Sequence, residues 1–459
     1  MLLLAAGRSL SAALTAPKLV APTPGRGTMV PPMSRFAVRP NGPLSGSVPI
    51  HGAKNSVLKC MAACLLAPGR HKIENVPAIT DVTIMADLLA ALGPVASHHG
   101  SGPGGVLEVE VPDEVVPVVP YELMERIRAS IVVLGPLLAR TGRARISLPG
   151  GDDFGGRPID MHLRALEAMG VEFTTGHGNV DGRCDRLVGT RVVFEFPSHT
   201  ATDNLLMAAV LAKGTTVIEN AAREPEVADL AGMLSSMGAR IEGAGTSRIE
   251  VEGVDELRPA AHACIPDRVE AATFLAAVGL AGGEVLLEHA HPEHMDMLLV
   301  KLAAMGVSCV ANAGGLLATS SGELASVDIS TLPYPGVATD YEPLLVTMLS
   351  VASGVSIVSE NVFAGRFRYV DELLRMGANI STEGHHAVIR GVPRLSGARV
   401  KATDIRAGAA LVLAGLVAEG ETEVSGAEHV DRGYEDFAGR LRRLGADVER
   451  VGVPGAATA

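Results

Sequence analysis

The segment from Leu148 to His162 reads L-P-G-G-D-D-F-G-G-R-P-I-D-M-H and holds residues that could do chemistry. Two adjacent carboxylates, Asp152 and Asp153, lie among four glycines, and Arg157 follows them. Glycine disfavours helix and central strand and lets the backbone approach a ligand closely. The pattern predicts a hinged loop in which Asp152 gives a proton to an anionic substrate beside Arg157. Taken alone, the segment is more typical of a surface Asp-Gly turn, and the other motifs of the chain favour the loop.

Further cations recur at equivalent places along the chain, at the start of one helix or after one strand of each repeated unit. Isolated arginines of this kind are normally solvated. A set in equivalent loops predicts instead a shared anion-binding cleft, toward which the positive ends of the helices also point. These residues are Lys54, Arg128, Arg157, Arg268, Arg366, Arg406 and Arg432.

The elements that position these residues form a sixfold repeat. Each unit has an apolar helix, a strand, a loop, and a second helix that ends in Leu-Gly or Met-Gly. Such a glycine is the expected left-handed helix cap. The closing glycines are Gly93, Gly170, Gly238, Gly306, Gly377 and Gly445.

The repeat predicts an α/β fold of six β-α-β-α-type units, three in each of two domains, with helices packed inside sheets. The run from Ala409, A-A-L-V-L-A-G-L-V-A, is apolar on every face, which predicts a fully buried helix. A second, amphipathic helix is predicted over 159–169. A single six-unit solenoid is the alternative.

Composition limits the classes of function. The 459 residues carry a formal charge of −12, with 3% aromatic residues and no Trp, which argues against nucleic acid as a partner. No apolar run is long enough to span a membrane. The five scattered cysteines predict reduced core residues of a cytoplasmic protein without a metal site. Residues 1–33 are expected to be a disordered or misassigned N-terminal extension, and 453–459 a tail.

The motifs, taken together and in this order, resemble those of the enolpyruvyl transferases, over about residues 35–452. Within that family they are most similar to the branch that acts on UDP-N-acetylglucosamine, and much less to the shikimate-phosphate branch. The matching segments are G-A-K-N from Gly52, R-A-S-I from Arg128, L-P-G-G-D from Leu148, R-P-I-D-M-H from Arg157, N-A-A-R-E-P-E from Asn220, P-D-R from Pro266, T-D at Thr339, A-T-D-I-R-A from Ala402 and D-R-G-Y-E from Asp431.

This resemblance implies a two-domain inside-out α/β barrel that closes over its substrates. Domain I would comprise residues 34–54 and 266–452, and domain II residues 55–265 with the catalytic lid over 148–158. The implied reaction moves the enolpyruvyl group of phosphoenolpyruvate to a hydroxyl of a uridine nucleotide and releases phosphate. It needs no cofactor or metal, and the protein is expected to be a monomer or a weak homo-oligomer.

The resemblance also implies the site residues. The catalytic set is Lys54, Asp152, Asp340 and Arg432, with Asp152 as the acid and Asp340 orienting or deprotonating the acceptor hydroxyl. An aspartic acid with an ordinary pKa of about 3.9 is ionised at neutral pH, so Asp152 is expected to act only once closure removes water around it. The substrate-binding set is Lys54, Asn55, Arg128, Arg157, Pro158, Ile159, Asp160, Met161, His162, Ser198, His199, Arg268, Asp340, Val362, Arg366, Asp404, Arg406 and Arg432.

Three departures from the family pattern fall on the acceptor side. The usual S-V-G-A-T is S-H-T-A-T from Ser198, the usual F-P-T-D is V-A-T-D from Val337, and the usual F-E-x-R-F has Ala364 in place of the acid. UDP-N-acetylglucosamine is the expected acceptor. The alternatives are UMP, as in enolpyruvyl transfer during peptidyl-nucleoside antibiotic synthesis, and a sensor that binds a nucleotide sugar without turnover.

Overall fold

A computed structural model describes residues 34–151 and 158–452 of the chain. The α-helices are α1 (Lys54–Ala63), α2 (Thr80–Leu92), α3 (Tyr121–Met124), α4 (Leu134–Thr141), α5 (Asp160–Ala168), α6 (His199–Ala209), α7 (Pro225–Ser236), α8 (Arg268–Ala281), α9 (Asp296–Met305), α10 (Glu342–Leu349), α11 (Val370–Arg375), α12 (Ile405–Gly415), α13 (Ala427–Asp431) and α14 (Phe437–Arg443).

The strands are β1 (Arg35–Arg39), β2 (Leu44–Pro49), β3 (Gly69–Glu74), β4 (Val95–His99), β5 (Val106–Val111), β6 (Arg143–Ser147), β7 (Glu172–Gly176), β8 (Asn179–Arg183), β9 (Arg191–Val193), β10 (Thr215–Glu219), β11 (Arg240–Glu242), β12 (Arg248–Glu252), β13 (Ala261–Ala263), β14 (Gly283–Glu288), β15 (Ser308–Asn312), β16 (Gly315–Ser320), β17 (Ile329–Ser330), β18 (Val355–Ser359), β19 (Asn379–Glu383), β20 (His386–Arg390), β21 (Leu395–Ser396), β22 (Arg399–Lys401), β23 (Ala418–Glu419), β24 (Thr422–Ser425) and β25 (Asp447–Val451).

The sixfold repeat and the α/β class are confirmed. Each unit contributes one sheet, and the sheet orders are β13-β3-β5-β4, β6-β8-β7, β11-β12-β10-β9, β15-β16-β14-β2, β17-β18-β20-β19 and β22-β24-β1-β25. All six closing glycines have positive φ, from 86° at Gly377 to 118° at Gly93. The sheets of the described residues stay separate from one another and do not join into one closed barrel.

Each unit is longer than the sequence pattern predicts. After the second helix, a hairpin such as β4–β5 or β15–β16 returns to the sheet, so the complete unit is β-α-β-α-β-β. The hairpins have polar outer faces and short apolar inner faces, which give a weaker periodic signal than the helices.

The predicted buried helix is α12, in which every residue is buried, and the predicted amphipathic helix is α5. Helices α1, α4, α6, α8 and α10 are also largely buried, inside the sheets.

The buried apolar residues form two cores. One holds residues from 57 to 264, and the other holds residues from 269 to 448 together with β1 and β2. Strand β1 pairs with β24 and β25, and β2 pairs with β14, while β13 pairs back with β3. The chain therefore passes between the cores twice, and the two crossings touch where Ala53 N donates to Ile265 O. The domain boundaries at 54 and 265 stay a prediction, which the two cores support.

Among the described residues, no helix combines the length and the apolar character needed to cross a bilayer.

Candidate active site

A cavity of about 350 Å³ is lined by residues from both cores. The first residues of the buried helices meet there, because Lys54 begins α1, His199 begins α6, Arg268 begins α8 and Ile405 begins α12. Two of these helices are capped by an aspartate: Asp267 accepts from Val269 N at 2.7 Å, and Asp404 from Arg406 N at 2.9 Å. The free N–H groups of several helices add to the positive potential of the cavity.

Asp81 joins two of the predicted catalytic cations. Its carboxylate lies 2.7 Å from Lys54 Nζ and 2.9 Å from Arg432 Nε, and only 1% of the residue is exposed. Burial alone would raise the pKa of Asp81, but the charges of Lys54 and Arg432 outweigh it and hold the pKa below its usual value. The ion pair between Asp81 and Arg432 connects the two cores, since Asp81 belongs to α2 and Arg432 follows α13.

Asp340 lies between two buried arginines. Its oxygens are 3.5 Å from Arg366 Nη2 and 3.6 Å from Arg406 Nε. Burial acts to raise the pKa of Asp340, and Arg406, Arg366, Lys54 and Arg268 together lower it to about 2. The carboxylate is therefore ionised at neutral pH. With Lys54, Asp81, Arg406 and Arg432, Asp340 forms what we call the ion-paired group.

Arg268 is held by its own partners at the start of α8. Its Nε donates to Glu226 Oε1 at 2.9 Å and its Nη1 to Tyr341 OH at 3.1 Å. The guanidinium also lies 5.5 Å from the ring centre of Tyr334, which lines the cavity. With these contacts Arg268 contributes charge at a fixed position.

A second set of lining residues surrounds the start of α6, and we call Arg128, His162, Ser198, His199 and Thr200 the α6 group. Ser198 caps the helix by accepting from Ala201 N, and Arg128 Nη1 donates to Pro149 O at 3.1 Å. The side chain of His199 is 41% exposed.

His199 and His162 have different surroundings. His199 Nδ1 lies 3.2 Å from Nζ of Lys59, which is itself paired with Asp203 at 2.7 Å. His162 is buried, and its Nδ1 lies 2.9 Å from Asn204 Nδ2. Burial, assisted by Arg128, lowers the pKa of His162 to about 4, so this ring is neutral at neutral pH and its Nδ1 accepts the hydrogen bond.

The cavity brings together most of the residues that the resemblance implied. Those that line it are Lys54, Asn55, Arg128, Pro158, Met161, His162, Ser198, His199, Arg268, Asp340, Val362, Arg366, Asp404, Arg406 and Arg432. Two do not line it: Ile159 is buried in the core around α5, and Asp160 pairs with Arg164 at 3.1 Å on the outer face of that helix. Asp152 and Arg157, with most of the lid, lie outside the described residues.

Sequence reasoning missed several lining or supporting residues. Asp81 and Lys59 sit on helices beside predicted residues, but nothing in their local sequence distinguishes them from ordinary helical charges. Glu226, by contrast, closes the N-A-A-R-E-P-E motif, and that position was a usable signal.

Residues 38–441 match the family described as EPSP synthase (3-phosphoshikimate 1-carboxyvinyltransferase). The chain is 48% identical over 417 residues to UDP-N-acetylglucosamine 1-carboxyvinyltransferase 1 of Caldanaerobacter subterraneus subsp. tengcongensis, which covers 91% of this chain and 99% of that one. It is 47% identical to UDP-N-acetylglucosamine 1-carboxyvinyltransferase of Nocardia farcinica, with the same coverage.

Solved structures agree in fold. The enolpyruvyl transferase NikO from Streptomyces tendae superposes with a TM-score of 0.81 at 26% identity, covering 92% of this chain and all of its own. EPSP synthase from Acinetobacter baumannii gives a TM-score of 0.69 at 19% identity, over 91% and 99% of the two chains, and supports the fold alone. With its sixfold repeat and its cation-lined cavity, the chain belongs to the EPSP synthase family of enolpyruvyl transferases.

Proposed function

We propose that this protein transfers the enolpyruvyl group of phosphoenolpyruvate to a hydroxyl of UDP-N-acetylglucosamine and releases phosphate, which is the first committed step toward peptidoglycan precursors. We assign the acceptor from the sequence identity of 47–48%, over nearly the whole length of the relatives, to proteins that are named for this reaction. The cluster of buried cations in one cavity supports the donor.

The donor carries about three negative charges at neutral pH, and compact trianions need several fixed cations. Lys54, Arg406 and Arg432 supply them at the ion-paired group, with Arg157 proposed to add a further one from the lid. In the structure, Asp81 already compensates Lys54 and Arg432. When the donor binds, its oxygens share these two cations with Asp81, so the cations need little rearrangement.

The chemistry is an addition followed by an elimination. A proton is added to the methylene carbon of the donor, the acceptor oxygen bonds to the neighbouring carbon, and the hydroxyl proton leaves. The carbon–oxygen bond to phosphate then breaks, and the new methyl group loses a proton to restore the double bond. We assign Asp152 as the acid for the first proton transfer and Asp340 as the residue facing the acceptor hydroxyl.

Asp340 is basic enough to take the proton of the acceptor hydroxyl only when phosphoenolpyruvate is bound. A carboxylate with a pKa of about 2 is a weak base toward a hydroxyl group. The bound donor anion neutralises much of the positive charge from Arg406 and Lys54, and this raises the basicity of Asp340 in the complex. The acceptor hydroxyl is thereby activated after the donor is bound.

A second acceptor, UMP, is favoured by the α6 group. His199 and Thr200 stand where the family pattern has Val and Gly, and both line the cavity. They narrow the space for a diphosphate, and the imidazole adds a polar contact for a smaller nucleotide.

The test is phosphate release from phosphoenolpyruvate with UDP-N-acetylglucosamine and with UMP in parallel assays, with Asp340→Asn as the inactive control. Higher kcat/KM with UDP-N-acetylglucosamine is expected. A preference for UMP would replace the proposed acceptor. If neither nucleotide supports phosphate release but calorimetry shows that at least one of them binds, the protein is a sensor.

The same proposal covers the setting of the enzyme. Both substrates are small molecules of the cytoplasm, where we place the protein, and no nucleic acid or membrane takes part in the reaction. We propose a monomer or a weak homo-oligomer, and sedimentation velocity over a range of concentrations tests this.

A further inference from the structure

A cluster of metal-ligating side chains lies away from the cavity, beneath the start of domain II. A sulfur of Cys60, a carboxylate oxygen of Asp229 and a ring nitrogen of His262 all lie within 4.8 Å of one another. Cys264 is buried two residues after His262 and is a neighbour of Cys60. The mechanism above uses none of these four side chains.

We propose that Cys60, Asp229, His262 and Cys264 bind one zinc ion. Two thiolates, one imidazole and one carboxylate are donors that zinc takes in four-coordinate sites. Hard cations such as magnesium prefer oxygen donors and would leave both sulfurs unused. Binding replaces the two thiol protons, which pass to solvent, and no oxidation or reduction takes place.

The present spacing is close to what zinc requires. Bonds of about 2.0–2.3 Å in a tetrahedron put neighbouring ligand atoms about 3.3–3.8 Å apart. His262 Nε2 lies 2.9 Å from Asp229 Oδ1, so this pair opens by a few tenths of an ångström. The sulfur of Cys60, at no more than 4.8 Å from either, moves inward by about 1.5 Å at most. Cys264 lies outside the group of atoms within 4.8 Å of one another, so its side chain turns toward the ion when zinc binds.

The surrounding contacts fix the ligands in advance. Asp229 turns one oxygen toward His262, while its other oxygen accepts from Ser56 Oγ and, at 3.4 Å, from Ile265 N. Neighbours that hold ligating carboxylates in this way strengthen metal binding. Cys60 is fully buried, whereas the side chain of His262 is 14% exposed, so the ion enters past His262.

The ion would connect three elements that position the cavity. Cys60 is in α1, which begins at the site residue Lys54, and Asp229 is in α7, which carries the Arg268 partner Glu226. His262 is in β13, and Cys264 follows it in the segment that leads to Asp267 and Arg268. Zinc at this place would stabilise the base of the site. The sequence alone predicted no metal site, because these ligands are far apart along the chain.

The first experiment measures zinc per chain by elemental analysis, after expression with added zinc and gel filtration. We expect one zinc ion in the parent protein and less than a tenth as much in Cys60→Ser and His262→Gln. Cys309→Ser, a cysteine outside the cluster, is the matched control. His291→Gln is a second control, because His291, Glu293 and His294 form an exposed metal-ligating group of their own. Zinc that disappears with His291→Gln but persists in Cys60→Ser would overturn the proposal.

The second experiment needs no variant of the cluster. The full-length protein is stripped with a chelator and titrated with Co²⁺, whose tetrahedral thiolate complexes show intense ligand-to-metal charge-transfer bands and visible d–d bands. Both sets of bands are expected, saturating at one Co²⁺ per chain and displaced by Zn²⁺. Absence of the charge-transfer bands, or a disulfide between Cys60 and Cys264 in peptide maps of protein purified with zinc, would overturn the proposal.

Discussion

The two groups of side chains in the cavity are built differently. In the ion-paired group, the carboxylates of Asp81 and Asp340 each lie between two cations, and Asp81 joins residues of both cores. In the α6 group, by contrast, His199 is partly exposed, and its closest charged partners, Lys59 in α1 and Asp203 in α6, lie on helices of one core.

This difference shows which part of the site can change. A substitution in the ion-paired group leaves a buried charge without compensation, which costs several kcal/mol. A substitution at the exposed start of α6 leaves the neighbouring pairs intact. Of the three departures from the family pattern, S-H-T-A-T falls on the α6 group, while the other two lie next to Asp340 and Arg366 in the sequence. The cations assigned to the donor are retained.

The largest expected effect is that of Asp340→Asn. We expect kcat to fall about 1,000-fold, because an amide cannot accept the hydroxyl proton. The KM for phosphoenolpyruvate should change much less, since Arg406 and Lys54 remain. Steady-state phosphate release measures both, and Asp371→Asn on the exposed face of α11 is the control. A fall of less than tenfold would remove Asp340 from the catalytic set.

Asp81→Asn should have the next largest effect. Without the carboxylate, Lys54 and Arg432 repel each other and lose their fixed positions, and we expect kcat/KM for phosphoenolpyruvate to fall about 100-fold. Asp87→Asn is the matched control, because Asp87 lies on the same helix in an exposed ion pair with Arg126 at 3.3 Å, and such pairs contribute little. Equal effects of the two substitutions would contradict the role given to Asp81.

The free energy of unfolding of Asp81→Asn, measured at two pH values, tests the role of the buried carboxylate in the ion-paired group. The folded-state pKa of Asp81 lies below that of the unfolded chain, about 3.9, so its contribution is complete above about pH 5 and is lost as the pH falls through the folded value. We expect Asp81→Asn to lower the free energy of unfolding by about 3 kcal/mol at pH 7 and by less at pH 3.5. Urea unfolding at both pH values measures this, and a deficit that grows on acidification would refute it.

A smaller effect, confined to the acceptor, is expected from the double variant His199→Val/Thr200→Gly. Restoring the family pattern widens the start of α6, and we expect the KM for UDP-N-acetylglucosamine to fall about tenfold, the size of effect that small changes in pocket shape produce. The KM for phosphoenolpyruvate should stay within twofold. A parallel change in both constants would show that the two groups are not independent.

The same contrast separates what the sequence could predict from what it could not. The closing glycines, the apolar run of α12 and the strands after each first helix are local signals, and the structure confirms them. The ion pair of Asp81 with Arg432 joins residues 351 positions apart, and no local sequence pattern predicts it. Ile159 and Asp160 were included with a contiguous motif, but successive residues of this segment face different directions. Pro158, Met161 and His162 line the cavity, and Ile159 and Asp160 do not.

The smallest effect on activity is expected from His162→Gln. Because the pKa of His162 is about 4, its ring is neutral from pH 5.5 to 8.5, and the variant should show the same pH profile of kcat/KM as the parent. A two- to threefold rise in acceptor KM is expected from the loss of one buried contact. The distinguishing effect is on stability. Between pH 6.5 and 4 the His162 ring is protonated in the unfolded chain but neutral in the folded protein, so the free energy of unfolding of the parent falls as the pH is lowered through this range. This fall should be smaller in the variant. His386→Gln, at an exposed histidine, should retain the slope of the parent. An acid limb of kcat/KM near pH 6.5 that disappears in His162→Gln would instead make this ring a titrating part of the site, and the α6 group would then depend on charge as the ion-paired group does.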